Sequence, residues 1–292
     1  MSDPQMNPMS IGLDDGYAFT KLALPDGRLI AIPSRARLGR ANVTWIDNAE
    51  QRIFEYETED QSFAVGEVDG EPTYFDAYPF SGLNRAIVQH GLQKAGLGGH
   101  SVHAVSGLPV SSFYLKDGSL REETLAKKRD NLKRAVQPID GRLSAAIAFH
   151  DVIPEALAAW YDHVITESDV GVQLESERLQ APVAVVDIGG RTTDYVVVAD
   201  QAVLHGSSGS LRCGLLDVKR ALTEGIRGRF DMEVVSERSV EEAVQRGTVR
   251  LFGKDHDVSG LVKTAQRQIV ERLHAETQRQ LGRGAELDPV SY

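Results

Sequence analysis

Two short segments, far apart in the chain, each carry an aspartate and a glycine at the point where an apolar stretch ends. The first covers residues 11–21, with the letters IGLDDGYAFTK, and the second covers residues 183–194, with the letters VAVVDIGGRTTD. A carboxylate at a strand end can face a metal ion, and glycine lets backbone N–H groups approach phosphate oxygens because it has no Cβ atom. We therefore predict that the two segments form the two halves of one phosphate clamp.

Each residue of this clamp has a predicted role. Asp14 and Asp187 are the candidate ligands of a Mg²⁺ ion, held mostly through water because Mg²⁺ keeps part of its hydration shell. Lys21 adds a positive charge near a phosphate group. Either turn alone is better explained as an ordinary hairpin, but the pair, with the helix start at Pro154-Glu155, favours nucleotide binding. The remaining predicted phosphate contacts are Asp15, Gly16, Tyr17 and Ala18 in the first turn and Gly189, Gly190, Arg191 and Thr192 in the second.

The elements that position the clamp can be predicted from hydrophobic periodicity. Residues 11–24 and 28–33 alternate around the turn signal Pro25-Asp26-Gly27, which predicts a hairpin. The first third is expected to be β-rich and mostly antiparallel. The strand-turn-strand pattern at 11–32 resembles that at 183–204, which indicates two similar halves with a cleft between them. The other predictions are strands at 52–56, 62–65 and 101–108, a hairpin at 183–198, helices at 83–95, 120–136, 215–230, 240–246 and 261–281, a helix opening at 151–155 and a polar loop or insertion at 166–180.

Composition narrows the class of protein. The 292 residues are 41% hydrophobic and 25% charged, which is ordinary for a soluble globular chain of one large or two medium domains. No run approaches the ~18 apolar residues of a membrane span. Residues 1–10 lack the pattern of a secretion signal and are expected to be a flexible tail. The single cysteine, Cys213, excludes an internal disulfide and suits the cytoplasm.

Charge argues against one class of partner. The net charge of −10 argues against direct, non-specific DNA binding over a broad surface, because such binding needs a basic stripe. DNA would then be contacted through a local patch or an adaptor protein. A basic cluster on one helix is either a polyanion contact or a solvated helix face, and we expect the second because acidic residues are interleaved with it. The cluster comprises Lys127, Lys128, Arg129, Lys133 and Arg134.

Five segments, in this order, resemble the actin-like ATPases and most closely the ParM/StbA family of plasmid-segregation proteins. The resemblance covers nearly the whole chain from residue 11. It implies an α/β fold of the actin-like class, which is a duplicated ribonuclease H-like fold, with two domains around a nucleotide cleft. Those domains would be residues 11–162 and 163–292. The matching segments are 14–21, 106–110 with the charged helix 124–133, 151–156, 187–194 and 209–222.

The resemblance also implies roles that the residues alone leave open. A carboxylate at a helix start, such as Glu155, is stabilised by the helix dipole, and on residue type alone that explanation is favoured. The resemblance instead makes Glu155 the catalytic residue that positions the attacking water, with Asp187 beside it. It places Gly214 and Asp217 on the adenosine side of the nucleotide. The implied cofactors are ATP or GTP, with Mg²⁺.

Three departures from the family pattern stand out. Tyr17 and Ala18 replace the small hydroxyl residues common in the first loop, so phosphate contacts there would come from the backbone. Arg191 replaces a usual small residue, and it would either contact the γ-phosphate or point to solvent. The family continues beyond a helix like 261–281 into a strand and a Gly-Gly-Gly adenosine loop. Since only the beginning of that strand is present at 288–292, the second domain is expected to be incomplete at its C-terminal end.

The leading hypothesis is a nucleotide-dependent, filament-forming ATPase that segregates plasmid DNA. It would assemble head-to-tail with copies of itself, and it would reach the plasmid centromere only through a DNA-binding adaptor of the ParR type. No membrane partner is expected. The alternatives are a small-molecule kinase of the same superfamily, which would need an acceptor-binding Asp or His, and a nucleotide-binding scaffold without turnover.

Overall fold

The computed structural model describes residues 7–43, 46, 52–68, 70, 73–168, 171–282 and 288–291. The chain divides into two compact units. Unit 1 comprises Met1–Leu108, Ser112–Leu115 and Ser119–Pro154, and unit 2 comprises Pro109–Ser111, Lys116–Gly118 and Glu155–Tyr292. The division into actin-like domains after residue 162 stays a prediction. Of the expected flexible tail, residues 1–6 lie outside the described residues, whereas Met9 and Ser10 belong to the first strand.

Unit 1 contains two sheets. The larger has the order β3-β2-β1-β7-β9, in which β1, β2 and β3 form an antiparallel meander and β7 runs parallel to both β1 and β9. The smaller has the order β4-β6-β5-β8 and is antiparallel throughout. The strands are β1 (Met9–Asp15), β2 (Phe19–Ala23), β3 (Leu29–Pro33), β4 (Ala36–Leu38), β5 (Ile53–Thr58), β6 (Gln61–Gly66), β7 (Ser101–Leu108), β8 (Gln137–Pro138) and β9 (Ala146–Pro154).

Helix α1 (Gly82–Lys94) organises the core of unit 1. It begins at Ser81, whose hydroxyl accepts the backbone N–H of Asn84, a standard N-cap. Its Val88 and Leu92 pack with Leu13 and other apolar residues of the larger sheet. The first half of the helix packs on the smaller sheet. Two further helices follow, α2 (Val110–Phe113) and α3 (Glu122–Lys133), and a short 3₁₀ helix covers Tyr78–Phe80.

Unit 2 repeats the meander of unit 1. Its main sheet has the order β14-β13-β12-β18, with β15 also paired to β13, and β18 runs parallel to β12 as β7 does to β1. The resemblance between residues 11–32 and 183–204 therefore corresponds to the same strand arrangement. The strands are β10 (Ile165–Ser168), β11 (Gly171–Leu174), β12 (Val183–Ile188), β13 (Thr193–Ala199), β14 (Ala202–Val203), β15 (Gly209–Leu211), β16 (Thr248–Leu251), β17 (Lys254–Asp257) and β18 (Asp288–Ser291).

A second core lies among the helices of unit 2, where Leu222, Ile226, Val240 and Val262 are buried together. In the described part of the chain, no helix combines the length and apolar content needed to cross a bilayer. The helices of this unit are α4 (Glu155–Val164), α5 (Ser176–Gln180), α6 (Leu215–Phe230), α7 (Glu237–Arg246) and α8 (Ser259–Leu281), with a 3₁₀ turn at His205–Ser207.

Two stretches differ from the prediction. Residues 151–154 were expected to open a helix, but they end strand β9, and α4 begins only at Glu155. Proline is tolerated at a strand end, and β9 lies at the sheet edge, where no further strand needs the missing N–H. Residues 166–180, expected to be a loop or insertion, belong to the antiparallel hairpin of β10 and β11 and to α5. The hairpin was missed because its residues are largely exposed and therefore lack an apolar alternation.

Candidate functional site

The first predicted phosphate loop, residues 14–21, links β1 to β2. Alternation along β1 puts Asp14 and Asp15 on opposite faces of the sheet. Asp14 is opposite Lys21 in the strand register, and its Oδ2 atom lies 2.8 Å from Lys21 Nζ. The two side chains are 47% and 61% exposed, so this ion pair is weak and can be replaced by other charged partners.

The Asp15 side chain points to the opposite face of the sheet, into the interior of unit 1. Its side chain is only 3% exposed, forms an ion pair with Lys128 of α3 and accepts a 2.8 Å hydrogen bond from Asn84 Nδ2 of α1. Asp15 can therefore offer a ligand only its backbone atoms. The expectation that Lys128 lies on a solvated helix face is wrong, because its side chain is 1% exposed. Lys128 shares the buried side of α3 with Leu125 and Leu132, at the spacing that brings side chains to one helix face.

Three successive carbonyl groups of this loop accept hydrogen bonds from the interior of unit 1. Ser34 Oγ donates to the carbonyl of Gly16 at 2.6 Å, and Thr73 Oγ1 donates to that of Tyr17 at 2.6 Å. The backbone N–H of Ser34 donates to the carbonyl of Ala18 at 2.9 Å. Sequence reasoning missed both hydroxyl residues, since they lie far from the loop in the chain and belong to no recognisable motif.

Close packing favours glycine at the turn itself. A Cβ atom on Gly16 would lie 2.9 Å from Asp14 Oδ1 and 3.1 Å from the carbonyl oxygen of Phe19. The exposed Asp14 side chain can move away, but the contact with the Phe19 backbone oxygen is tighter than most real Cβ contacts, so the turn favours glycine. The position that the sequence argument chose for close approach is thus tightly packed in the structure.

The second predicted loop, residues 187–194, joins β12 to β13. The N–H of Gly189 donates to the carbonyl of Thr192 at 2.8 Å, which closes the turn that contains Gly190 and Arg191. The first two N–H groups of α6 also bind this turn. Leu215 donates to the carbonyl of Gly189 at 3.0 Å, and Leu216 donates to that of Gly190 at 2.8 Å. The turn and the helix N-terminus therefore form one hydrogen-bonded unit.

Gly214 and Asp217, predicted to lie on the adenosine side, lie where this turn meets the start of α6. A Cβ atom on Gly214 would lie 2.5 Å from the Gly189 carbonyl oxygen and 2.6 Å from that of Gly190. The Asp217 carboxylate is buried and accepts the Gly214 N–H at 3.0 Å, as a residue three positions into a helix does in a capping arrangement. The structure thus brings these two residues together with Gly189 and Gly190. Their contact with adenosine stays a prediction.

A further acid in this region escaped the sequence argument. Asp194 in β13 is buried, lies opposite Asp187 in the strand register, and accepts hydrogen bonds from the hydroxyl of Ser210 and from the backbone N–H of Val110 at 2.7 Å. Burial raises the pKa of Asp194 to about 6, with the charge of Asp187 adding to the effect. The available signal was an aspartate in an otherwise apolar strand, which indicates a buried polar group with dedicated partners.

The remaining candidates have definite places in the chain. Asp187 is the next-to-last residue of β12, Arg191 and Thr192 lie in the turn that follows, and Glu155 is the first residue of α4. The described residues contain no group of three or more His, Cys, Asp or Glu side chains that could hold a metal ion. A cation at Asp14 or Asp187 would therefore depend on water and phosphate for its other ligands, as Mg²⁺ commonly does. The roles of these residues stay predictions.

Comparisons of the sequence with protein families give two matches. The model described as plasmid segregation protein ParM, N-terminal, matches residues 9–165. The model described as archaeal actin homologue MreB-like, C-terminal, matches residues 185–288. No curated protein matches the sequence.

Solved structures show the same fold at low sequence identity. The archaeal actin homologue Ta0583 is 20% identical with a TM-score of 0.71, and the match covers 97% of this chain and 87% of that one. A 15-stranded ParM filament from Clostridium botulinum is 17% identical with a TM-score of 0.74, covering 98% and 89%. Ta0583 in complex with ADP is 20% identical with a TM-score of 0.68, covering 97% and 86%. The predicted actin-like α/β fold is therefore confirmed.

Proposed function

Because the chain belongs to the family of the plasmid segregation protein ParM, we propose that it is a nucleotide-dependent, filament-forming actin-like ATPase that segregates plasmid DNA. The observation that carries the proposal is the recurrence of one strand-glycine turn-strand arrangement in both units. In each unit an aspartate ends or nearly ends the first strand, and glycine follows. Two such loops in one chain are the expected means of holding a polyphosphate.

The residues present fit a nucleotide phosphate chain. Gly16 and Gly189 stand where a Cβ atom would meet backbone oxygens at 3.1 Å, so each turn is tightly folded. Lys21 supplies a positive charge, and its exposed partner Asp14 can exchange that contact for a hydrated cation. ATP with Mg²⁺, when bound, supplies the phosphoanhydride bond that hydrolysis breaks; a structure of the archaeal homologue with ADP supports a nucleotide as ligand. The choice of ATP over GTP rests on the family resemblance.

Two carboxylates of this chain are proposed to act in hydrolysis. Glu155 begins α4, where the helix dipole favours its ionised form, and an ionised carboxylate can orient a water molecule and accept its proton. Asp187 is proposed to hold the cation through water. In phosphoryl transfer most of the rate enhancement comes from positioning and electrostatic stabilisation, which is what such residues supply.

Assembly is proposed to be head-to-tail. The structural likeness to a ParM filament supports self-association, and a heterologous contact that does not close into a ring generates a filament. With a net charge of −10, this chain is proposed to reach plasmid DNA through an adaptor of the ParR type rather than directly. We propose the cytoplasm as its location, since plasmids lie there.

Sedimentation and negative-stain electron microscopy of the full chain test this proposal. Filaments should form with Mg²⁺ and ATP or a non-hydrolysable analogue, and they should disassemble as phosphate is released. Absence of nucleotide-dependent assembly at every concentration would refute the filament. Assembly without phosphate release would indicate a scaffold, and transfer of phosphate to an added small molecule would indicate a kinase.

A further inference from the structure

We infer that Ser34 and Thr73 are positioning residues for the first phosphate loop, residues 14–21, because their hydroxyls and the Ser34 N–H fix the direction of its backbone N–H groups. The inference rests on the proposed nucleotide binding for its consequence, but the orientation of the loop can be measured without any ligand. Neither residue belongs to the predicted clamp, and neither is proposed to touch the nucleotide.

The hydrogen bonds give the direction. Gly16, Tyr17 and Ala18 each direct a carbonyl oxygen at a donor from Ser34 or Thr73, at distances of 2.6, 2.6 and 2.9 Å. Both donor residues are buried. The loop carbonyls are therefore held toward the interior of unit 1.

Peptide geometry converts this into an orientation of the N–H groups. In a planar trans peptide, the C=O of one residue and the N–H of the next point in opposite directions. The N–H groups of Tyr17, Ala18 and Phe19 must then point away from Ser34 and Thr73. A run of N–H groups turned to one side is the arrangement that binds phosphate oxygens. Because Tyr17 and Ala18 are not the small hydroxyl residues of the family pattern, the direction of the backbone N–H groups matters more for phosphate contact in this chain.

The donors are themselves fixed. A serine hydroxyl has one proton, and that of Ser34 goes to the Gly16 carbonyl, so Thr20 Oγ1 must be the donor in the 3.0 Å hydrogen bond between Thr20 and Ser34. Thr20 is fully buried. When a buried carbonyl loses its donor, the peptide gains by rotating toward another partner. Removal of the Thr73 hydroxyl should thus release the loop from one orientation, whereas the Gly16 carbonyl would keep the Tyr78 hydroxyl as a second donor at 3.5 Å.

Thr73→Val is the direct test, since it removes the hydroxyl and keeps the side-chain shape. Thr73→Ser restores the donor. Thr58→Val is the control: Thr58 is also buried in unit 1, donates to the carbonyl of Ala135 at 2.8 Å and accepts from Arg85 Nε at 3.2 Å, and both partners lie outside the loop. Two measurements are made on the full chain, the Kd for Mg²⁺-ATP by calorimetry and hydrogen–deuterium exchange of peptides covering residues 14–21 without nucleotide.

We expect Thr73→Val to raise the Kd for Mg²⁺-ATP about tenfold and to speed exchange in the loop. Thr73→Ser should return both values close to those of the wild type, and Thr58→Val should change neither. The inference is overturned if Thr73→Val leaves exchange and affinity unchanged, or if Thr58→Val has the same effects. If exchange responds as expected but no variant, nor the wild type, binds nucleotide, the loop orientation stands and the proposed function fails.

Discussion

The backbone N–H of Val110 donates a 2.7 Å hydrogen bond to the carboxylate of Asp194, a residue 84 positions later in the chain. The next N–H, that of Ser111, donates to Ser210 Oγ at 2.9 Å, and Ser210 in turn donates to Asp194. A buried acid thus ties the short segment Pro109–Ser111 to the strand that follows the second phosphate loop. This explains why these three residues belong to unit 2 although the chain on either side belongs to unit 1.

Asp194 should make stability depend on pH. Its pKa is raised to about 6, above the value near 4 of an unfolded aspartate, so the folded state binds the proton more tightly. The resulting stabilisation is complete below pH ~4 and is lost as the pH rises through ~6. Relative to Asp194→Asn, the wild type should lose on the order of 2 kcal/mol of unfolding free energy between these values.

Urea denaturation at several pH values measures this difference. Asp200→Asn, which changes an exposed aspartate of the same unit, is the control and should preserve the wild-type pH dependence. The prediction would be contradicted if the unfolding free energies of wild type and Asp194→Asn changed with pH in the same way.

Neighbouring lysines of α3 should respond very differently to the same substitution. Lys128→Met leaves the buried Asp15 carboxylate without its cation and should cost about 3–5 kcal/mol of unfolding free energy. Lys127→Met removes only an exposed pair with Glu123 and should have little effect. Adding Asp15→Asn to Lys128→Met should recover part of the loss, because neither charge of the Asp15–Lys128 pair then remains. Chemical denaturation checks all three variants, and equal effects of Lys127→Met and Lys128→Met would refute the assignment.

Gly214→Ala should disrupt the second phosphate loop through steric contact alone. The new Cβ atom would meet the Gly189 and Gly190 carbonyl oxygens at 2.5 and 2.6 Å, so the turn or the start of α6 must move. Gly228→Ala, in the same helix, places its Cβ atom in open space and should be neutral or slightly stabilising. We expect Gly214→Ala to lower the thermal midpoint and to weaken nucleotide binding. An unchanged thermal midpoint and an unchanged nucleotide affinity would show that the contact between the turn and the start of α6 can adjust to a Cβ atom.

Glu155→Gln tests the proposed catalytic carboxylate. The substitution keeps size and hydrogen-bonding capacity but removes the proton acceptor, so phosphate release should fall about 10²-fold while nucleotide binding persists. Glu123→Gln, another acid in the first turn of a helix, is the control for loss of a favourable dipole interaction. Phosphate release that is equal in Glu155→Gln and wild type would leave Glu155 as a helix-start charge.

Hydrophobic periodicity and turn residues were sufficient to predict the strands and helices that surround both loops. The strand at Ser101–Leu108 and the helix at Leu215–Phe230 have the predicted bounds, since each has clear periodicity and a definite stop signal. Both hairpins that carry the loops were also confirmed.

The missed features depend on partners that are distant in sequence. Lys128 looks like any surface lysine until Asp15, 113 residues earlier, is placed beside it. Ser34 and Thr73 have ordinary residue types, and only the fold shows that their hydroxyls meet the loop. No local rule predicts such pairs, because each is created when separate elements pack together.

The alternation of Asp14 and Asp15 along β1 limits how this part of the gene can change. Because side chains repeat every second residue, inserting one codon between Leu13 and Asp14 would reverse the faces of the two carboxylates relative to Ile11 and Leu13. The cation partner Lys128 would then meet the wrong acid, and the exposed position would be filled by a residue selected for burial. Length variation among descendants of this sequence should therefore be absent from β1 and common in the exposed hairpin of β10 and β11.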